Sequence, residues 1–389
     1  MKRFLIVGLI VMGLMHYGVL SALSQSTTNA NCADPFNGQS VRFNVAYWEK
    51  TDFCNTSIAY DEVLSGGPPP DGIPPIDNPI YESVASASEW LQAQSPVIAV
   101  EVNGIARAYP LAILTWHEIV NTEQGGQPIS ITFCPLCNSS IVFDRNVNGE
   151  VLDFGVSGNL RNSDMIMYDR QTQSWWQQFT GMGIVGVYNE TQLTVLPSLV
   201  VGFAQFVEEY PEGEVLSRET GHSRRYGINP YSGYDSGEPF LYSGEIDPRL
   251  PSTARVLAGY VGSVPIAYAF DDLQRLGVIN DIQDNQAIVA FWQDGAVSAL
   301  DRSEIDASRS IGTAALYRRE LADGTLLTFE VDEDGTITDT QTASTWNTFG
   351  RATSGALVDT QLRQIIAGQH FWFAWQAFAP ATALYEVAQ

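Results

Sequence analysis

The sequence predicts an α+β fold made of two duplicated, mostly antiparallel β-rich halves with a few short helices. Three observations predict it. Short segments alternate polar and apolar residues, few stretches carry helical spacing, and one set of motifs occurs twice in the same order.

At the N-terminus, Lys2 and Arg3 precede an apolar run from Phe4 to about Leu20, followed by the small residues of Ala22-Leu23-Ser24. Residues 1–24 therefore read as a secretory signal peptide or, left uncleaved, as an N-terminal anchor. Either places the protein outside the cytoplasm, as a periplasmic, extracellular or cell-surface protein. Membrane attachment is expected only if this segment is retained. Residues 25–94 read as an irregular collar, because Ser65-Gly66-Gly67-Pro68-Pro69-Pro70 and Gly72-Ile73-Pro74-Pro75 exclude long helices and central strands. Cys32 and Cys54 lie in this collar, and in an oxidising compartment they are expected to form a disulfide.

Beyond the collar the chain repeats itself. Gly104 to Leu111 resembles Gly262 to Ala269, Val120-Asn121 resembles Ile279-Asn280, and Asp144-Arg145 has Asp301-Arg302 as its counterpart. Asp169 to Trp176 then matches Asp339 to Trp346, and Phe179 falls opposite Phe349. Thr191-Gln192-Leu193 matches Thr360-Gln361-Leu362, and Phe203, Phe206 and Pro211 match Trp372, Trp375 and Pro380. The expected division is a first half at 95–215, a Gly-, Ser-, Tyr- and Pro-rich joining segment at 216–254, and a second half at 255–389.

Within each half strands dominate. Alternation marks Ile129 to Phe133 and Ser140 to Phe143 as half-buried strands. Three helices are expected: one over Leu111–Asn121, one presenting Leu199, Val200, Phe203, Phe206, Val207 and Tyr210, and one over Phe371–Phe378. With 44 acidic against 20 basic residues, a net charge of −24 repels phosphate backbones and anionic lipid, which excludes nucleic acid as a partner. A small molecule or another protein is the partner class left.

Chemistry concentrates in Cys134-Pro135-Leu136-Cys137-Asn138, a turn between two strands. Such a knuckle points backbone N–H groups at its sulfurs and favours their metal-binding form. It supplies two ligands where a closed tetrahedral site needs four, so histidines are sought. His117 lies shortly before the strand leading to the cysteines, His370 lies in the second half, and His222 sits in the polar joining segment as a solvated residue. The repeat places Leu276 opposite His117, Gln293 and Ala296 opposite the cysteines, and Val201 opposite His370. One composite site at the junction of the halves accounts for that asymmetry, with Cys134, Cys137, His117 and His370 as ligands to copper or zinc. Asp164 is the candidate acid–base residue or hard ligand, and Met165 and Met167 are weaker soft-ligand candidates.

Trp116 to Asn121, Phe133 to Cys137, Ser157-Gly158 with Asn162-Ser163-Asp164, Met167-Tyr168-Asp169 and His370 to Trp375 together resemble the family called domain of unknown function 3179, over about residues 95–388. At Trp175 this chain departs from the family pattern, where Leu is commoner between Ser and Trp. The family carries no established activity, so the resemblance implies a domain and no reaction. Three functional expectations follow. The first is an exported metal-binding protein with a redox or metal-handling role. The second is a thiol–disulfide protein using Cys134 and Cys137. The third is a non-enzymatic binding module presenting Trp175, Trp176, Trp372 and Trp375.

Overall fold

The two-residue turn Asn103-Gly104 has left-handed backbone at both positions (φ 50° and 79°). Such a turn matches strand twist, and it returns strand Pro96–Val102 antiparallel onto Ile105–Pro110. The computed structural model describes residues 32–387, so the expected leader over residues 1–24 lies outside the described residues. Among the described residues no helix is long and apolar enough to cross a membrane.

Three large sheets and a two-stranded one, Asn146–Val147 with Glu150–Val151, form from residues before 217. One runs Leu199–Gly202, Pro96–Val102, Ile105–Pro110, Glu214–Leu216, Tyr81–Ser83, and another Val195–Leu196, Ser139–Asp144, Gln127–Cys134, Ile119–Gln124. The third runs Val63–Ser65, Phe154–Arg161, Asp164–Asp169, Trp175–Gln177, Met182–Val185. Residues after 254 repeat the order of each large sheet. Ala367–Phe371, Arg255–Val261, Val264–Ala269 and Ala383–Leu384 form one sheet, and Gln364–Ile365, Thr313–Arg318, Gln286–Gln293 and Val278–Gln283 another. Phe329–Val331, Ile337–Asp339, Thr345–Trp346 and Ala352–Ser354 complete the set. Pairing between these strands is antiparallel except where Glu214–Leu216 runs parallel to Ile105–Pro110 and Ala383–Leu384 parallel to Val264–Ala269. The fold is thus mostly antiparallel β with few short helices, as the alternation predicts.

Matching side chains make matching bonds. Asn121 exchanges two hydrogen bonds with the Phe154 backbone, and Asn280 does the same with Phe329. Asp169 accepts from Thr172 N and Trp176 Nε1 at 2.6 and 3.0 Å, and Asp339 accepts from Thr342 N and Trp346 Nε1 at the same distances. The match of Asp144-Arg145 to Asp301-Arg302 is corrected. Ile129 pairs with Asp144 and Ile288 with Arg318, so the counterpart of Arg145 is Arg319. Residues 294–312 replace the short turn 135–138, and Asp301-Arg302 falls inside that insertion.

Two helices are shorter than their periodicity predicts. Helix Leu111–His117 stops at Glu118, whose φ of 59° breaks it, and Ile119–Gln124 continues as a strand. Leu199–Gly202 is a strand, and its helix starts only at Phe203. The apolar spacing of Leu199 and Val200 reflects burial against the sheet instead. Trp175, Trp176, Trp372 and Trp375 are all buried, which removes the expectation that they are displayed to a partner. Trp175 packs against Phe43, Trp48 and Phe53 of the collar. Cys32 and Cys54 form a disulfide with a Cα separation of 5.9 Å.

The two sets of sheets meet along two seams. In one, Phe371 N donates to Cys137 O at 3.0 Å, which brings strand Ala367–Phe371 against the cysteine turn. In the other, Gln369 and Gln364 donate to the carbonyls of Val200 and Ser198.

Candidate functional site

Strand Gln127–Cys134 turns into Ser139–Asp144 with Cys134 paired to Ser139. Cys137 N donates to Cys134 O at 3.3 Å and Asn138 N to Pro135 O at 3.2 Å, and Asn138 takes the left-handed conformation (φ 49°). Asn tolerates this geometry, which closes the turn and leaves both cysteines on the buried side. Both are free thiols.

A second hairpin delivers the carboxylate. Asn162 and Ser163 both have positive φ, 53° and 66°, and return Phe154–Arg161 onto Asp164–Asp169 with Arg161 opposite Asp164. Asp164 is fully buried. Its Oδ2 accepts from Gln177 Nε2 at 2.6 Å and from Phe179 N at 2.9 Å, while Oδ1 is buried with no hydrogen-bond partner. One carboxylate oxygen of Asp164 and the sulfurs of Cys134 and Cys137 lie within 4.8 Å of one another.

Glu118 is the residue that sequence reasoning passed over. It is buried, and its Oε1 accepts from Tyr231 OH at 3.3 Å. A glutamate at φ 59° is uncommon, and the equivalent position in the second half is Gly277 at φ 66°. A glutamate standing opposite a glycine in the repeat was the available signal.

The electrostatics of these four groups are set by one another. Burial pushes the Asp164 carboxyl up to about 6, against hydrogen bonds from Gln177 and Phe179 that pull it down. Burial pushes Glu118 up to about 8, with Tyr231 opposing and the Asp164 charge adding to the rise. Both thiols are raised, again first by burial, with the Asp164 charge contributing to each. Four acidic groups are thus packed together: the Asp164 charge disfavours ionisation of Glu118 and of both thiols, while the neighbouring thiols favour the charged form of Asp164.

The two expected histidine ligands do not join them. His117 Nδ1 lies 2.6 Å from Pro74 O and its Nε2 2.7 Å from Tyr226 OH, so the imidazole donates to the carbonyl and accepts from the hydroxyl. Both nitrogens are occupied, and the ring faces the exposed His222 at 5.2 Å. His370 stacks on Trp375 and packs at a tilt against Phe179, outside the group gathered within 4.8 Å. Alternation along the strand explains this, since Phe371 faces the cysteine turn and its neighbour faces away. Met165 is buried beside the thiols, and Met167 lies further along the same strand.

A cavity of about 380 Å³ opens beside this group, lined by Glu118, Leu136, Met165, Tyr231, Tyr234 and Phe240. The last three come from the joining segment, so that segment roofs the site as well as connecting the halves. Ser163 of the second hairpin fixes the roof by donating to Phe240 O.

No curated protein and no solved structure matches the chain. The sequence profile described as "Protein of unknown function (DUF3179)" matches residues 70–382. That span holds both cysteines, Asp164, Glu118 and the roofing segment, and the chain belongs to the DUF3179 family.

Proposed function

We propose that this is an exported metal-binding protein in which Cys134, Cys137 and Asp164 hold one transition metal ion beside the tyrosine-lined cavity. One observation carries the reading: two unbonded thiols and the buried Asp164 carboxylate, one of whose oxygens has no hydrogen-bond partner, are gathered within 4.8 Å. Buried acidic groups without a counter-charge resist ionisation, and a divalent cation reverses that balance by favouring their charged forms. The bonded state of Cys32 and Cys54 is compatible with an oxidising, exported location, and a metal explains why a second close pair stays unbonded.

Three protein donors leave a fourth position open, the arrangement of catalytic rather than structural zinc sites. Glu118 and Tyr231 border that position from the cavity wall and are placed to hold or pass a proton to a ligand there. Two thiolates and one carboxylate suit zinc. Copper(I) is soft and takes thiolate or thioether donors, so a hard Asp164 oxygen in the donor set in place of His117 and His370 moves the assignment away from copper. The thiol–disulfide reading is disfavoured because reactive thiols need a lowered pKa, and burial raises both of these.

Elemental analysis of the purified mature chain tests the proposal. Stoichiometric zinc is expected, lost in Cys134→Ser, weakened in Asp164→Asn and unchanged in His222→Ala. A wild-type chain that takes up neither zinc nor copper on reconstitution, with both thiols intact, would overturn it.

A further inference from the structure

The seam between strands Ser139–Asp144 and Ala367–Phe371 encloses a second cavity, of about 330 Å³, that the metal reading does not use. Five ring side chains line it, Phe179, Tyr260, Trp375, Phe378 and the imidazole of His370, among aliphatic and uncharged polar residues. Phe179 and Phe378 lie nearly parallel (19°, centroids 4.9 Å apart), and so do His370 and Trp375 (16°, 5.6 Å). Neither pair admits a guest between its own rings, and Phe179 is tilted by 47° to His370 and 51° to Trp375, so the cavity presents flat aromatic faces at an angle, which favour contact with an aromatic guest. No carboxylate, lysine or arginine lines the cavity, which disfavours an ionic guest. His370 is only 4% exposed, and its Nδ1 is buried without a hydrogen-bond partner.

The other seam shows that this space is built rather than left over. Register places Val201 opposite His370, Leu199 opposite Gly368 and, one helix on, Tyr210 opposite Ala379. There the position is filled: Tyr210 packs on Phe349 and its hydroxyl reaches Glu101 at 3.0 Å. In the open seam Ala379 leaves the mouth clear. Gly368 makes room for the imidazole, since a Cβ there would stand 2.7 Å from His370 Nε2.

We propose that this cavity binds a small, uncharged aromatic molecule bearing one hydroxyl group, a phenol, with His370 as its hydrogen-bonding partner. The volume is at the lower end for ligand sites and fits one or two rings. A neutral imidazole has one donor and one acceptor nitrogen; Nδ1 is sealed inside the protein, so the guest's hydroxyl meets Nε2, donating to it or accepting from it according to the tautomer. Burial holds His370 down at about 3, so it is neutral under physiological conditions.

The test uses the full chain with p-cresol and toluene as probes, followed by calorimetry and by nitrogen NMR of labelled histidine rings. Saturable p-cresol binding is expected, with toluene roughly three- to tenfold weaker for want of the hydroxyl. Cresol should shift the His370 ring resonances and leave those of His117 and His222 unmoved. Ala379→Tyr, which copies the plug of the other seam, should weaken cresol binding at least about tenfold. His370→Val should bind cresol and toluene alike. The proposal is overturned by no saturable cresol binding, by equal affinity for both probes in the wild type, or by shifts at another histidine. Should the tyrosine variant fail to fold, the His370 resonances still decide.

Discussion

The two halves share a strand order and differ in what they bury. In the first, the short turn 135–138 carries two thiols into the interior, where Asp164 and Glu118 meet them. In the second, residues 294–312 replace that turn, Gln293 stands where Cys134 does, and Gly277 stands where Glu118 does. Close packing of Gly295 on Gly202, where a Cβ would come within 2.7 Å, shows the insertion sealing its seam. The second half has the features of a scaffold, and the first carries the groups capable of chemistry.

The comparison can be broken at paired positions. Arg145 donates to the carbonyls of Ile129, Leu152 and Thr122, whereas Arg319 reaches only Leu327 O and leaves its Nε unpartnered. Arg145→Met should therefore cost about 3 kcal/mol in urea unfolding and Arg319→Met about 1 kcal/mol. Equal losses would mean that the first half's polar network is no stronger than its counterpart. Asp169 and Asp339 accept the same bonds from their Thr and Trp partners, and Asp339 accepts one more from Ser344 N at 3.2 Å, so Asp169→Asn and Asp339→Asn should each cost roughly 1–3 kcal/mol and agree within about 1 kcal/mol. A large difference would show that shared geometry hides unequal surroundings.

A pH series sharpens the contrast further. Burial lowers His117 from 6.5 to about 4 and His370 from 6.5 to about 3, while Leu276 and Val201 stand opposite them. Below about pH 6.5 the unfolded chain takes up protons that the folded chain refuses until about pH 3–4. Stability contributed by the neutral rings is therefore full above 6.5 and falls as pH drops towards 3. Each histidine adds at most about 1.4 kcal/mol per pH unit to that slope. His370→Val should flatten the decline between pH 6.5 and 4 by about one proton's worth. An unchanged slope would mean that the imidazole is protonated in the folded state. The smallest effect is expected at the surface, where His222→Ala should shift stability by less than about 0.5 kcal/mol.

Much of the fold was legible because local patterns and long-range pairing agree. The Asp-to-Trp segments and the cysteine turn carry their bonding partners at short separation, whereas Asn121 and Asn280 reach partners 33 and 49 residues away and were legible only through the repeat. The failures share one cause, which is that spacing along the chain does not report insertions or the face of a strand. Asp301-Arg302 looked equivalent to Asp144-Arg145 because the insertion brought a similar dipeptide near the right place. His117 and His370 were chosen as the usual partners of cysteine, but Pro74 and Tyr226 claim one ring and strand alternation turns the other away. Asp164 was placed at the site by its polar context, but its standing as the third donor emerged only from the hairpin that buries it.

X-ray absorption at the metal edge of the zinc-loaded wild-type chain tests the central claim most directly. The account predicts two sulfur scatterers at about 2.3 Å with oxygen at about 2.0–2.2 Å and no multiple scattering from imidazole. An imidazole signature, or a shell without sulfur, would contradict it.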